Sequence, residues 1–452
     1  MKIQFLGAAR TVTGSKYLLT IDDHRYLVDC GLFQGNHTIR RRNWDELPVG
    51  SATIDYVLLT HAHIDHSGYL PLLVKNGFKG KILTTAATFD LCKVLLPDCG
   101  HLQEEEAASA NKYHSSKHEP ALPLYTVEEA YKTLSFFEVI PFNKPVQLSK
   151  HFKVTWHPAG HILGAAFLEL LVHGQKLLFS GDLGRDHDPI MHAPQTPPDN
   201  INYMVVESTY GDRQHKDEDP QQKLAEIINE VVAEDGVVVI PAFAVGRVQS
   251  ILYHLYMLRK HGKIPAVPIY LDSPMGINAT DLMCRYHHEH RLSRDTCSAI
   301  CGIVEYTRTA EESKAINSTS GSKIIISASG MVSGGRVLHH VRYYAPDARN
   351  AILLTGFQAP GTRGHIIESG HGTVKIFNDL VPVRAKVISL SNMSAHVDYT
   401  EMLQWLSLTD SNPKTVFITH GELKAAESLK RLIEQEFGWS CVIPEYLSEY
   451  EL

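Results

Sequence analysis

"VLLTHAHIDHSGYLPLL", Val57 to Leu73, begins as an apolar strand and ends as an apolar helix. Between the two stand His61, His63, Asp65 and His66. Burying four such groups unpaired is costly, so either they face water or something charged holds them together. Histidines at i and i+2 of an extended chain point the same way. The next two groups sit on the first helical turn, where the chain curls back, so one short loop can aim all four into a single pocket. Imidazole and carboxylate without cysteine suit zinc, with manganese or iron as alternatives. A catalytic zinc takes three protein ligands and a water, so four ligands split as two pairs suggest two ions. A polar helix start capped by Ser67 or Asp65 would also account for these residues. The full HxHxDH pattern after an apolar strand argues against it.

Two ions need more donors, and the chain offers them just after other apolar strands. "FKVTWHPAGHILGAAF" supplies His157 and His161, and "KLLFSGDLGRDHD" supplies Asp182, with Asp186 and Asp188 as lesser options. "KTVFITHGE" supplies His420. The C-terminal edge of strands is where α/β proteins place their sites.

The chain has 452 residues, which calls for two compact units or one domain with a large insertion. Hydrophobic residues make up 44% and charged ones 21%, as in a soluble globular protein. The start, "MKIQFLGAARTVTG", is too short and polar for a signal peptide. No apolar run approaches the roughly 20 residues that span a bilayer, so no membrane association is expected. Seven cysteines, scattered and without CxxC pairs, fit neither a disulfide framework nor a cysteine zinc site, and a reducing cytoplasm suits them. A net charge of −7 excludes a general nucleic-acid-coating surface but leaves room for a local basic cleft.

The rhythm of the chain changes once and then returns. Short runs such as "KIQFLG", "RYLVDCG", "YVLLT" and "QKLLFSGD" read as strands, interrupted by a helical stretch from Thr88 to Lys112. From about Met204 to Ser369, strands alternate with helices, which predicts a parallel sheet. β-like runs return from about Thr373. The fold class is α/β, a β-rich domain split by an inserted parallel α/β domain.

These motifs together resemble the metallo-β-lactamase superfamily, and within it the β-CASP nucleic-acid-processing branch. The chain looks like the bacterial and archaeal relatives of the nuclease subunit of the cleavage and polyadenylation specificity factor. Asp29 in "LVDCG" matches the first motif and "HAHIDH" the second; His161 and Asp182 match the third and fourth. Glu207 in "VVESTYG", His396 in "SNMSAHVD" and His420 in "ITHGE" match the three motifs peculiar to the branch.

The resemblance implies an αββα sandwich over residues 1–205 and 372–452, with a β-CASP domain inserted over 206–371. It implies one zinc held by His61, His63 and His161, and a second held by Asp65, His66 and His420. Asp182 would bridge them and Asp29 would orient ligands from behind. It favours His161 over His157, which spacing leaves open. The expected activity is hydrolysis of RNA phosphodiester bonds by a hydroxide activated between the two metals, internally, from the 5′ end, or both. His396 would be the general acid, assisted by Glu207, with Asp65 and Asp182 also in the catalytic set. Single-stranded RNA is the expected partner, and relatives of this branch often dimerise, which leaves a homodimer open.

The inserted domain offers phosphate cradles. "IIISASGMVSGGRVLHH" reads as strand, glycine-rich turn and helix, with Ser329, Gly330, Gly335 and Arg336 as anion contacts. Arg247 in "PAFAVGRVQSIL" and Arg363 in "GFQAPGTRGH" stand in similar places. His365 occupies a position where the family usually shows arginine, which makes any contact there pH-dependent at best. DNA processing is the alternative within the branch, but those relatives usually show valine where this chain has His420. A hydrolase of a small ester, thioester or lactam is the alternative outside it. The inserted domain and the Glu207–His396 pair argue against that reading.

Overall fold

The computed structural model describes residues 1–452 except 115, 216–218, 357, 360 and 391–392. Phe357 and Pro360 of "GFQAPGTRGH", and Ser391 and Asn392 of "SNMSAHVD", therefore lie outside the described residues. The chain forms two compact units, residues 1–214 with 396–452, and residues 215–395. No helix is long and apolar enough to cross a membrane among the described residues.

The first unit contains two seven-stranded sheets. One runs in the order Glu449–Glu451, Lys2–Phe5, Tyr17–Ile21, His24–Val28, Tyr56–Leu58, Lys81–Thr84, Phe137–Val139. The other runs Cys441–Val442, Thr415–Thr419, Tyr203–Glu207, Gln175–Phe179, Ala166–Val172, Phe152–Pro158, Val146–Ser149. Alternate residues of each make a common core, with Ile3, Phe5, Tyr17, Leu19, Tyr26 and Val28 from the first and Phe152, Val154, Trp156, Leu168, Leu170 and Phe179 from the second. That period of two is the side-chain alternation of a strand, and it fixes which face meets the partner sheet. Leu18, Leu27, Val57 and Ile82, on the opposite faces, are buried as well. Strands buried on both faces are what a layer of helices over each sheet requires.

Parallel pairing sets up the functional edge. His24–Val28, Tyr56–Leu58 and Lys81–Thr84 run parallel, as do Gln175–Phe179, Tyr203–Glu207 and Thr415–Thr419. Their C-terminal ends therefore fall on one edge of each sheet, where the chain leaves toward Asp29, His61, Asp182 and His420.

The second unit is built on a six-stranded sheet in the order Glu305–Tyr306, Ile269–Asp272, Lys323–Ser327, Val237–Pro241, Ala351–Leu354, Lys386–Ser389. Every pair in it is parallel, as the strand–helix rhythm predicts. The unit limits, at 214/215 and 395/396, differ from the 205/206 and 371/372 expected from sequence. Thr373–Ile376 and Asp379–Pro382 form their own hairpin, and Lys386–Ser389 adds to the parallel sheet beside Ala351–Leu354. A β-like run can join either sheet, and backbone pairing, not composition, decides which.

Candidate metal centre

Seven of the side chains singled out above meet at the strand ends of the first unit, in two groups. His61, His63, His161 and Asp182 make one, and Asp65, His66 and His420 the other. In the first, His63 Nδ1 lies 3.1 Å from His61 Nε2 and 3.2 Å from His161 Nε2. Asp182 Oδ2 lies 3.4 Å from His61 Nε2 and 3.7 Å from His161 Nε2. A tetrahedron with arms of about 2.0–2.1 Å has edges of about 3.4 Å, so these separations match the shell of one zinc-sized ion. In the second, His66 Nε2 is 3.1 Å from His420 Nε2, which is 3.4 Å from Asp65 Oδ2. Asp182 reaches this group through its other oxygen, Oδ1, 3.3 Å from His66 Nε2.

The surrounding hydrogen bonds decide where the imidazole protons sit. The Thr60 hydroxyl donates to Asp29 Oδ2 at 2.9 Å, and its one proton is thereby used. Its 3.0 Å contact with His61 Nδ1 must then be a bond donated by the histidine, which leaves His61 Nε2 a bare lone pair facing inward. The same relay recurs across the site. The Thr209 hydroxyl donates to Glu207 Oε2 at 2.5 Å and accepts from His420 Nδ1 at 3.1 Å, so His420 Nε2 also faces inward unprotonated. His66 gives its Nδ1 proton to Asp29 Oδ2 at 2.8 Å. The inward nitrogens of His61 and His420 thus face the carboxylates of Asp182 and Asp65 without protons of their own, and a cation placed among them would hold the groups together.

Electrostatics agrees with this. Burial pushes the His61 imidazole down to about 3 and His161 well below its ordinary range, so both stay neutral, the ligating form. Burial raises Asp182, yet His420, His66 and His61 outweigh it and hold the carboxyl well below its usual range. Burial disfavours charge on His66, but Asp182 and Asp29 raise it well above normal. A proton there is the cation that a metal would displace.

Two donors reach the centre through unusual backbone. Asp29 and His420 each follow the last residue of a strand, with φ of 57° and 50°. Aspartate and histidine are among the few residues that enter this left-handed region. The turn redirects the side chain from the sheet face toward its edge. Gly31 has a related duty, because a Cβ there would lie 1.6 Å from the Asp65 carbonyl oxygen. That approach is what lets Cys30 N and Leu32 N bond His66 O and Ile64 O and pin the histidine loop. Neither Ser67 nor Asp65 caps the short helix Ile64–Ser67, whose N-cap residue is His63, so the capping alternative falls away.

His396 lies beside the first group, with its ring 4.4 Å from that of His161. Its Nδ1 is 3.0 Å from Glu207 Oε2 and 4.0 Å from Asp182 Oδ2. Burial works against its charge, but Glu207, Asp182 and Asp65 raise it to about 9. Asp398, not His396, caps the helix Tyr399–Leu406, forming a capping box with Glu401.

The other candidates lie elsewhere. His157 is bonded to Asn143 Oδ1 at 2.8 Å and Glu169 Oε2 at 3.2 Å, outside both donor groups. Asp188 caps a turn at Ile190 N and Met191 N, and Asp186 is in neither group. Arg336 does not present the phosphate contact expected of it. Its guanidinium bonds Asp272 Oδ1 at 2.7 Å, Thr307 O at 3.0 Å and Arg308 O at 2.7 Å. Arg363 likewise holds Lys375 O and Ser333 O. Both arginines brace loops of the second unit. Gly330 makes room for Phe243, Ser329 Oγ accepts from Ser333 N, and Gly335 has a φ of 75°, so the glycine-rich turn is shaped by its own packing. Arg247 opens the helix Arg247–Lys260. Thr60 and Thr209 are the residues that reading the sequence missed. Their only signal is a hydroxyl beside a histidine or glutamate at a strand end.

Residues 18–203 match the metallo-beta-lactamase superfamily domain, 248–367 the Beta-Casp domain, and 380–444 the Zn-dependent metallo-hydrolase RNA specificity domain. Ribonuclease TTHA0252 of Thermus thermophilus is 35% identical, with 96% of each chain covered. Probable RNase MJ4 of Methanocaldococcus jannaschii is 31% identical, with 98% of each covered. Transcription termination factor FttA of the same organism is 27% identical over 96% of this chain and 70% of its own. A solved structure of a protein of unknown function from Enterococcus faecalis shares the fold, with a TM-score of 0.55 at 11% identity over 100% of this chain and 99% of that one.

Proposed function

We propose, for a chain that belongs to the metallo-β-lactamase superfamily and carries a β-CASP domain, that it is a ribonuclease working with two zinc ions. His61, His63 and His161 would hold one ion, Asp65, His66 and His420 the other, and Asp182 would give one oxygen to each. The observation that carries this reading is the convergence of imidazole nitrogens and carboxylate oxygens on two points, with Asp182 facing both through different oxygens. Bound there, divalent cations activate a water and neutralise charge on a phosphodiester.

The chain's own residues supply the rest. Asp29 fixes the tautomer of His66 directly, and with Thr60 that of His61. Glu207 and Thr209 do the same for His420. Glu207 also pairs with His396 Nδ1 and keeps that imidazole protonated, so the proton on Nε2 is available to the leaving oxygen of the RNA. Glu207 thereby joins ligand orientation to proton delivery.

The test pairs metal analysis with RNA cleavage. Purified protein is expected to carry close to two zinc ions and to cut single-stranded RNA, leaving 5′-phosphate and 3′-hydroxyl ends. RNAs labelled at either end, and differing at the 5′ end, would separate internal from end-directed cutting. Intact RNA in the presence of fully metallated protein would sink the ribonuclease reading.

A further inference from the structure

The second unit holds a pair of cysteines that spacing alone did not reveal. Cys284 lies in the last turn of the helix Pro274–Arg285 and Cys301 in the last turn of Arg294–Gly302. The two helices pack together, and the two sulfurs are 3.5 Å apart. Both residues are half-buried, whereas Cys297 on the same helix as Cys301 is fully buried. The buried hydroxyl of Tyr306 lies beside Cys301.

We propose that Cys284 and Cys301 are a site of reversible oxidation, closing to an intramolecular disulfide when a peroxide-class oxidant reaches them. A disulfide needs the sulfurs at about 2.05 Å, so they must close by about 1.5 Å. Side-chain rotation at the ends of two helices can provide that. A thiolate is the reacting form. The contact with Cys284 lowers the Cys301 thiol below its ordinary range, against burial and the Asp281 charge.

The electrons and atoms balance in two steps. The Cys301 sulfur attacks one peroxide oxygen and breaks the O–O bond. That gives a sulfenic acid, and the second oxygen leaves as water after taking a proton. The Cys284 sulfur then attacks the sulfenic sulfur, forming S–S and breaking S–O. The departing oxygen takes the thiol proton and leaves as water. Two sulfurs are oxidised by one electron each, and the peroxide is reduced to two waters.

The test uses the full-length metallated protein, treated with hydrogen peroxide, then denatured and alkylated. We expect two fewer alkylated residues than the chain's seven cysteines, and full recovery after dithiothreitol. Peptide mapping is expected to join the segments that contain Cys284 and Cys301, and Cys284→Ser to remove the bridge. Seven alkylated cysteines, a bridge to Cys297, or sulfinic acid on Cys301 with Cys284 free would each overturn the assignment. The wild-type peptide map decides the matter even if the serine variant folds poorly.

Discussion

Two buried clusters of acidic and imidazole groups sit at strand ends in this chain, one in each unit, and they are closed in opposite ways. In the second unit Asp272 ends the strand Ile269–Asp272 and is fully buried. Its carboxylate accepts from Arg336 at 2.7 Å, His340 at 2.7 Å and Ser313 at 2.5 Å. His340 Nδ1 also meets Asn317 Oδ1 at 3.0 Å, so both ring nitrogens have partners. Donors and acceptors balance, and that cluster needs nothing from outside. In the first unit the relays through Thr60 and Thr209 turn the protons outward and leave acceptors facing acceptors. The second cluster carries its own cation in Arg336, whereas the first has only imidazoles and carboxylates and a place for a cation from outside.

The largest expected effect comes from removing the shared ligand. Asp182→Ala should empty both ion positions, and cleavage should fall by about 10³-fold or more, because several kcal/mol of transition-state stabilisation is lost. If one ion stayed at full occupancy, the bridging role would be wrong. His396→Ala should keep the metal and lose about 10²–10⁴-fold in kcat. Normal cutting by that variant would remove His396 from proton transfer. Asp272→Ala inverts this pattern. It should lower stability by about 3–5 kcal/mol in denaturant unfolding while metal per folded molecule stays the same. Loss of metal in that variant would mean the two clusters are not independent.

Smaller effects probe the relays. Thr60→Val and Thr209→Val should each weaken metal retention or activity by about 10–100-fold, measured by competition with a chelator. A Thr209→Val protein that held metal normally would show that His420 chooses its tautomer without help. Acid should separate the clusters as well. His66 takes up a proton most readily of the proposed ligands, because Asp182 and Asp29 raise it well above its ordinary range, so protons displace metal there while Asp272 is still ionised. Burial raises the Asp272 carboxyl, but His340, Ser313 and Arg336 outweigh it and hold it below its ordinary 3.8. A lowered folded-state value contributes stability above that point and loses it only as pH falls further. Metal release and unfolding should therefore occur in that order in an acid titration followed by metal analysis and circular dichroism.

The histidine loop was legible because its four polar groups stand within six residues, where local geometry alone makes them converge. His161, Asp182 and His420 were legible by position, each just beyond an apolar strand. The relay threonines were not, because a hydroxyl at a strand end is ordinary until its acceptor is known. Arg336 and Arg363 make the same point from the other side. A sequence displays a guanidinium but not the carboxylate 64 positions away, or the loop carbonyls, that already occupy it. The strand Lys386–Ser389 pairs with Ala351–Leu354, a partner its sequence does not name, because a short β-branched segment records a preference for pairing and not the partner.

His420 and His396 both follow the second unit in the chain, while the other ligands precede it. Residues 1–395 hold six of the seven side chains of the proposed metal site and Glu207, but neither its last donor nor the proposed proton donor. Closure of the site is therefore a highly non-local event in the fold: His420 stands 355 positions after Asp65 and 3.4 Å from it, so the donor set is complete only when the two ends of the first unit have met.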